Sequence, residues 1–244
     1  MDNTDFKDVK GIKGIIFDYG GTIDSRGDHW SEVIWRAYMQ AGVPVGKDSF
    51  RDAYVFAERE LARVRHILPE HNFYDLLLIK MRLELGYLAD AGLIDAGCKD
   101  LWAEQTARIC YDAAKECVEQ ARPVLELLSR RFPMVLVSNF YGNVQAVLAD
   151  FDLLRYFRDI IESAVVGVRK PDPAIFGMGV EALGLPAENV LVVGDSLRKD
   201  IRPAESLGCQ VLWIKGKGWT EEEDAQTHPH TIFSLSEIPA LLSV

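Results

Sequence analysis

Residues 14–22, Gly-Ile-Ile-Phe-Asp-Tyr-Gly-Gly-Thr, decide the fold of this chain. The apolar, mostly β-branched and aromatic side chains of residues 14–17 predict a short buried strand. Asp18 follows directly after this strand, and the pair Gly20-Gly21 predicts a tight loop. An aspartate in this position can close the loop through its own side chain, or it can be a reactive carboxylate held at a strand end.

Three later segments place polar residues after an apolar run or before a helix: Val-Leu-Val-Ser-Asn at 135–139, Gly-Val-Arg-Lys-Pro-Asp-Pro at 167–173, and Val-Leu-Val-Val-Gly-Asp-Ser at 190–196. Asp200 lies just beyond the last of them. In open α/β sheets, ligands bind at the carboxyl ends of parallel strands. We therefore expect an acid, a hydroxyl, a lysine and further acids to meet at one edge of a sheet and to bind phosphate there.

These segments, extended to FDYGGT, VLVSNF, GVRKPDPAIF and VVGDSLRKD, resemble the four motifs of the haloacid dehalogenase-like hydrolase superfamily and occur in the same order. They span Asp18 to Asp200, and the tail IFSLSEIPALL is similar to the closing helix of that family. The resemblance is to the phosphatase-like branch with a helical cap. It implies an α/β fold with a doubly wound, parallel-sheet, Rossmann-like core and an inserted all-helical cap domain.

Apolar residues at helical spacing fill the segment between the first two motifs. No strand is predicted from Trp30 to about Gln120, and the predicted helices are 30–41, 48–66, 72–86 and 99–120. After Arg122-Pro123, helix and strand alternate, which favours a parallel sheet with helices on both faces. We predict a core domain of residues 1–24 and 121–244, and a cap domain of residues 25–120 that by resemblance closes over the active site.

The resemblance implies a role for each motif residue. Asp18 would attack phosphorus to form an aspartyl-phosphate, with Ser138 and Lys170 completing the catalytic set. The residues expected to contact phosphate are Gly20, Gly21, Ser138, Asn139 and Lys170. The residues expected to hold Mg²⁺, a cation that prefers oxygen ligands, are Asp18, Gly20 through its carbonyl, Asp195 and Asp200.

Each of these residues also has a purely structural interpretation. Gly20-Gly21 can be a turn that needs positive φ, and Ser138 can bond to nearby backbone at the strand end. Asp195-Ser196 can cap a helix, Asp200 can be a solvated acid in its first turn, and Lys170 can be a surface charge. The four motifs taken together favour the functional interpretation, with Asp200 close to the metal or orienting Lys170.

Gly20 departs from the family pattern. In the family's phosphatases this position is an aspartate that protonates the leaving group and then activates water. General acid/base catalysis is worth ~10²–10⁴-fold in rate, so we predict an impaired proton-transfer step. Metal binding need not be lost, because glycine keeps the backbone carbonyl. Asp24, Asp28 and His29 follow soon after the motif and are candidates to replace the missing acid.

Three functions follow from this pattern. The leading hypothesis is a Mg²⁺-dependent phosphatase for a small phosphorylated metabolite. The second is a carbon-centred member of the superfamily, either dehalogenase-like or phosphonoacetaldehyde hydrolase-like; the latter needs a cap lysine, for which Lys47 and Lys80 are candidates. The third is a phosphate-binding protein without turnover. The cap residues that could contact substrate are Arg51, Glu58, Arg59, Arg63, Arg65 and His66.

Composition narrows the class of protein. The chain has 244 residues, enough for a sizeable core, and a formal net charge of −10. Nucleic acids and anionic membranes are bound chiefly through basic patches, so we expect neither as a partner. No apolar run approaches ~18 residues, and the start MDNTDFKDVK lacks the basic and apolar regions of a signal peptide. We therefore expect a cytoplasmic protein with reduced cysteines.

Overall fold

The computed structural model describes residues 9–244, so the first eight residues of the predicted core domain lie outside the described residues. The strands are β1 Gly14–Phe17, β2 Met134–Ser138, β3 Asp159–Glu162, β4 Val190–Gly194, β5 Gln210–Ile214 and β6 Thr231–Ile232. They form one six-stranded sheet in the order β3-β2-β1-β4-β5-β6, and every pair is parallel. This sheet confirms the predicted α/β, Rossmann-like fold class.

The helices of the described part of the chain follow in sequence order. They are α1 Trp30–Gln40, α2 Lys47–Arg63, α3 Phe73–Asp90, α4 Lys99–Ser129, α5 Val144–Asp150, α6 Ser163–Val166, α7 Ala174–Leu183, α8 Arg202–Ser206, α9 Glu221–Ala225 and α10 Ile238–Leu241. A π-type turn, Leu197–Ile201, precedes α8. None of these helices combines the length and apolarity needed to cross a membrane.

The sheet is covered on both faces because alternate side chains of its strands enter two separate apolar clusters. Ile15 and Phe17 of β1 pack in a cluster that also contains residues of α1 to α4. Ile16, between them, packs in the second cluster with Phe176 of α7 and Ile201. This alternation is the pattern of a doubly wound fold, in which helices shield both faces of a parallel sheet.

The first four helices all lie between β1 and β2 in sequence. α3 packs against both α2 and α4, and α1 packs against α4. Between residues 18 and 133 the structure contains no strand, as the apolar spacing predicted. The insert is therefore helical, while its division from the core at residues 24/25 and 120/121 stays a prediction.

The fourth helix differs from its prediction, because it runs nine residues further, to Ser129, and passes through Pro123. A proline removes one helical hydrogen bond and leaves the carbonyl four residues earlier, that of Glu119, without its usual donor. Pro123 and Glu119 are both exposed, so water can satisfy that carbonyl. Leu125 and Leu128 are fully buried, and their burial keeps the chain helical beyond the proline. One continuous helix thus connects the insert to the core.

Candidate active site

The strand β1 carries Asp18 to the carboxyl edge of the sheet. Phe17 is in register with Leu136 of β2 and Val193 of β4, so the residue after β1 lies between the ends of two flanking strands. The backbone N–H of Asp18 donates to the Val193 carbonyl at 2.9 Å, which continues the strand pairing by one residue. Asp18 is consequently buried, although it carries a carboxylate.

Three side chains donate hydrogen bonds to the Asp18 carboxylate. Lys170 Nζ lies 2.6 Å and Ser138 Oγ 3.3 Å from Oδ1, and Thr22 Oγ1 lies 3.2 Å from Oδ2. These contacts hold the carboxylate in one orientation, as a nucleophile requires. The three residues of the predicted catalytic set are therefore in contact, while their roles in catalysis stay predictions.

Lys170 is a buried lysine held by two carboxylates. Its ammonium lies 2.6 Å from Asp18 Oδ1 and 2.7 Å from Asp200 Oδ1. Burial disfavours the charge, but the attraction of both acids outweighs it and raises the pKa of Lys170. The Asn139 side chain accepts from Lys170 N at 2.9 Å and donates to Lys170 O at 3.0 Å. Asn139, predicted to contact phosphate, thus uses its side chain to position the lysine backbone.

Three acids converge beside this lysine. Oxygen atoms of Asp18, Asp195 and Asp200 all lie within 4.8 Å of one another. Burial, and then the charges of Asp200 and Asp18, raise the pKa of Asp195 well above its ordinary value. Thr22 Oγ1 lies 3.2 Å from Asp18 Oδ2 and 3.2 Å from Asp195 Oδ1, so it contacts two of the acids. Excess negative charge on hard oxygen donors is the environment that Mg²⁺ occupies in proteins, so the residues present fit that cation.

Glycines make room for these acids at two positions. A Cβ on Gly21, whose φ is +99°, would lie 2.4 Å from the Asp195 carboxylate, and a Cβ on Gly194 would lie 2.4 Å from Asp200 Cβ. Gly20 is different, because a Cβ built there meets nothing within 4 Å beyond its chain neighbours. The position that lacks the family's second acid therefore has space for a side chain.

The three candidates to replace that acid lie in different surroundings. Asp24 accepts from Gly21 N at 2.7 Å and from Trp30 Nε1 at 3.1 Å, beneath the loop, and it is not among the described residues that line the cavity. Burial, with the charge of Asp18, raises the pKa of Asp24 to about 8. Asp28 forms an ion pair with Arg36. These two acids are occupied in holding the loop and the start of α1.

His29 does line the cavity, and it also caps α1 by accepting from Ser31 N. Burial, followed by the charges of Lys199 and Lys80, lowers the pKa of His29 to about 4. The imidazole is therefore neutral near pH 7 and holds no extra proton to give to a leaving group. The geometry makes it a helix cap that packs against both Tyr54 and Trp219.

A cavity of about 550 Å³ opens above the acids, and it is lined by both the core and the helical insert. On the insert side, Lys80 of α3 is buried and forms an ion pair with Glu58 of α2. Its ammonium also lies 4.2 Å from the centre of the Tyr54 ring. Glu58 Oε1 accepts a second hydrogen bond, at 3.0 Å, from the hydroxyl of Tyr141, which follows β2 in the core.

The other insert residues named from the sequence divide between the cavity and the surface. Arg59 lines the cavity, and Arg51 donates to the Trp219 carbonyl at 2.6 Å. Arg63 and His66 instead pair with Glu60. Arg65 is exposed and, like Lys47, does not belong to the described lining of the cavity.

Sequence reasoning assigned no role to two features of the site. Thr22 belongs to the first motif. Its hydroxyl, four residues after Asp18, was the signal from which a contact with the acids of the site could have been predicted. The contact of Glu58 with Lys80 and Tyr141 joins α2, α3 and the segment after β2, and local sequence carries no signal for it. These contacts exist only after the insert has packed over the core.

A family model described as haloacid dehalogenase-like hydrolase matches residues 12–208. The chain is 38% identical over 112 residues to haloacid dehalogenase-like hydrolase domain-containing protein 3 of Danio rerio, and the match covers 44% of each protein. The chain thus spans less than half the length of that relative.

Two longer matches cover most of the chain. It is 26% identical over 195 residues to YigB of Escherichia coli strain K12, a 5-amino-6-(5-phospho-D-ribitylamino)uracil phosphatase, with 78% of this chain and 79% of that protein covered. The solved structure of YfnB from Bacillus subtilis, a putative hydrolase bound to magnesium, matches with a TM-score of 0.62 at 20% identity, covering 96% of this chain and 100% of that one. Other phosphatases are among the relatives, and dehalogenases are among the structures with a similar fold.

Proposed function

The chain belongs to the haloacid dehalogenase-like hydrolases, and from this premise we propose that it is a Mg²⁺-dependent phosphatase that acts on a small phosphorylated metabolite through an aspartyl-phosphate on Asp18. The observation that carries the proposal is the contact of one buried carboxylate with both a lysine and a serine, beside two further acids. Phosphatases among its relatives support the same reaction class.

The chemistry follows from the hydrogen bonds of Asp18. A carboxylate oxygen of Asp18 attacks phosphorus, the bond from phosphorus to the leaving oxygen breaks, and water later hydrolyses the aspartyl-phosphate. The Lys170 ammonium, 2.6 Å from Asp18, offsets negative charge on the phosphoryl oxygens, and Ser138 donates to one of them. Thr22 keeps the carboxylate from turning away during this exchange.

The proposed Mg²⁺ ligands are Asp18, Asp195, Asp200 and the Gly20 carbonyl. When bound, the cation neutralises the acid cluster and lets a phosphate dianion approach it. Asp200 also accepts from Ser196 N at 3.0 Å and contacts Lys170, so it ties the metal side of the site to the lysine. We further propose that residues 25–120 act as a cap domain, since the cavity has walls from both the insert and the core.

The acid/base step is the weak part of the proposed mechanism. Gly20 has no side chain, His29 is neutral, and Asp24 is held beneath the loop away from the cavity. Leaving groups that depart without a proton, such as acetate and p-nitrophenolate, should therefore be favoured over alkoxides. The proposed enzyme is slow or restricted towards simple alkyl esters.

The test compares Mg²⁺-dependent hydrolysis of acetyl phosphate, p-nitrophenyl phosphate and alkyl phosphates by the wild type, Asp18→Asn and Gly20→Asp. We expect the wild type to cleave the activated phosphates and Asp18→Asn to lose that activity. Gly20→Asp should extend activity to alkyl esters by ~10²-fold or more, because the position has room for the acid. Activity that survives Asp18→Asn unchanged would contradict the proposal.

One observation favours a second candidate function, a phosphonoacetaldehyde hydrolase-like reaction. Lys80 lines the cavity, whereas Lys47 pairs with Glu32 elsewhere in the insert. An imine requires a neutral amine, and here burial of Lys80 is outweighed by the attraction of Glu58, which raises its pKa well above the usual value. That protonated state weighs against the imine. Borohydride treatment with phosphonoacetaldehyde is the check, and a covalent adduct on Lys80 would favour this function over the first.

A further inference from the structure

The Glu58–Lys80 pair is an unusual feature of the insert, because a lysine side chain only 5% exposed is costly to bury and its ion pair gives little stability in return. Its neighbours on α3 are the apolar core residues Leu77 and Met81 and the buried acid Glu84, whose charge also acts on Lys80. Both members of the Glu58–Lys80 pair line the cavity in which the proposed reaction takes place. This placement points to a role towards the bound molecule.

The charges within the Glu58–Lys80 pair are balanced. The Lys80 ammonium contacts Glu58 directly, and its attraction overcomes the effect of burial and lowers the pKa of Glu58. Both members are therefore charged near neutral pH and cancel each other. A carboxylate on a substrate would meet the repulsion of Glu58 wherever it met the attraction of Lys80.

Glu58, Lys80 and Tyr141 together offer both hydrogen-bond donors and hydrogen-bond acceptors. Lys80 has three N–H donors, of which Glu58 takes one, and Glu58 and the Tyr141 oxygen offer acceptor sites. A hydroxyl group both donates and accepts, so it can bond to an ammonium and a carboxylate at the same time. The partly exposed rings of Trp30 and Phe140, which also line the cavity, suit the C–H surface of a carbon chain that bears hydroxyls.

We propose that Glu58, Lys80 and Tyr141 form a subsite for a hydroxylated leaving group, so that the preferred substrates are phosphate esters of polyols or sugars. This inference rests on the proposed function, since the phosphate must occupy the site at Asp18. Lys80 and Glu58 bind hydroxyls of the leaving group, and Tyr141 orients Glu58 from the core side. The subsite sets specificity and takes no part in the transfer of the phosphoryl group.

The test measures binding without requiring turnover of an alkyl ester. Acetyl phosphate is the reporter substrate, and three competitors of matched length are compared by their inhibition constants: a pentitol 5-phosphate, pentyl phosphate and 5-phosphooxypentanoate. The variants are Glu58→Gln and the double change Glu58→Gln/Lys80→Met, which removes both charges together and leaves no unpaired charge. The matched control is Glu32→Gln/Lys47→Met, a second insert pair with a separation of 2.8 Å that lies outside the described cavity lining.

We expect the wild type and the control to bind the pentitol phosphate about tenfold more tightly than pentyl phosphate, as one or two hydrogen bonds would give. The double variant should lose this preference. Glu58→Gln should instead improve binding of 5-phosphooxypentanoate, because Lys80 is then without its counter-charge. Thermal unfolding of each variant shows whether the fold is retained.

Several results would overturn the proposal. Equal binding of pentitol and pentyl phosphates by the wild type, or a wild-type preference for the carboxylate competitor, contradicts a hydroxyl subsite. So does an equal loss of preference in the double variant and in the control. In each case, Asp18-dependent hydrolysis of acetyl phosphate would show that the proposed function still stands. If the wild type does not hydrolyse acetyl phosphate at all, the proposed function fails and this inference fails with it.

Discussion

Two buried lysines face the same cavity, and they differ in the charge around them. Lys170, on the core side, contacts Asp18 and Asp200, with Asp195 close by. Lys80, on the insert side, forms its ion pair with Glu58, and the side chain of that partner is 38% exposed. The immediate surroundings of Lys170 therefore carry more negative than positive charge, while the Glu58–Lys80 pair is balanced.

This difference separates two tasks within one cavity. Surplus negative charge on rigid, buried oxygens attracts a divalent cation and, through it, a phosphate. A balanced pair attracts no ion, and it discriminates among neutral groups by hydrogen bonding. The roles proposed for the two lysines, charge neutralisation in the core and hydroxyl recognition in the insert, thus depend on how many acids surround each of them.

The largest expected effect comes from removing the lysine on the core side. Lys170→Met leaves Asp18 and Asp200 buried without their cation, and loss of one partner of a buried pair costs ~3–5 kcal/mol. Hydrolysis of acetyl phosphate should fall by ~10²–10³-fold, the usual result of removing one electrostatic contact to the reacting group. Urea unfolding in metal-free buffer and steady-state kinetics measure the two effects.

Lys80→Met is the matched comparison, since it removes the other buried lysine. Water can solvate the half-exposed Glu58 after the change, so the free energy of unfolding should fall much less than in Lys170→Met. Equal destabilisation by the two substitutions would show that the number of surrounding acids does not separate the two sides.

The next effect concerns the excess negative charge of Asp18, Asp195 and Asp200, which should bind Mg²⁺. Mg²⁺ at 100 times its dissociation constant should raise the free energy of unfolding by ~2.7 kcal/mol, because only the folded chain assembles the three acids. Thermal unfolding with and without Mg²⁺ measures this. Asp195→Asn should abolish the gain, while Glu32→Gln, on the insert, should keep it. An identical gain in Asp195→Asn would place the cation elsewhere.

A smaller effect sharpens the comparison within the first motif. Gly21→Ala forces a side chain into a backbone with φ +99° and against the Asp195 carboxylate, which should cost ~1–3 kcal/mol of stability. Gly20→Ala meets no neighbour and should stay within ~0.5 kcal/mol of the wild type. Urea denaturation of both proteins checks the contrast, and a stable Gly21→Ala protein would contradict the close approach of the loop to Asp195.

Much of the core was predictable because three motif residues, Asp18, Ser138 and Asp195, lie at the carboxyl ends of three different strands. Once β1, β2 and β4 pair in parallel register, Asp18, Ser138 and Asp195 must emerge at one edge. The fold class and family followed from the same segments and are confirmed. The catalytic, phosphate-binding and metal-binding roles stay predictions, for which the geometry supplies only the contacts.

The insert was less predictable, because its contacts join residues far apart in sequence. Glu58 lies 22 positions from Lys80 and 83 from Tyr141, and no local pattern marks such a set. The predicted end of α4 was wrong for a related reason. Pro123 by itself indicates a helix end, but the burial of Leu125 and Leu128 against the core keeps the chain helical.

The smallest expected effect probes a buried acid of the insert. Glu84, on α3, is fully buried, and burial outweighs the attraction of Lys80 and raises the pKa of Glu84 from 4.5 to about 8. The folded state therefore holds this proton more tightly than the unfolded chain. The resulting stability is complete below about pH 4.5 and is lost as the pH rises through about 8.

Glu84→Gln removes that titration and keeps an acceptor for the Tyr38 hydroxyl, which lies 3.0 Å from Glu84 Oε2. Between pH 6.5 and 7.5, the free energy of unfolding of the wild type should fall relative to that of the variant, by at most ~1.4 kcal/mol for this one pH unit. Urea unfolding of both proteins at the two pH values measures the difference. Parallel behaviour would mean that Glu84 is already ionised in the fold, and the insert side would then carry a surplus of negative charge like the core.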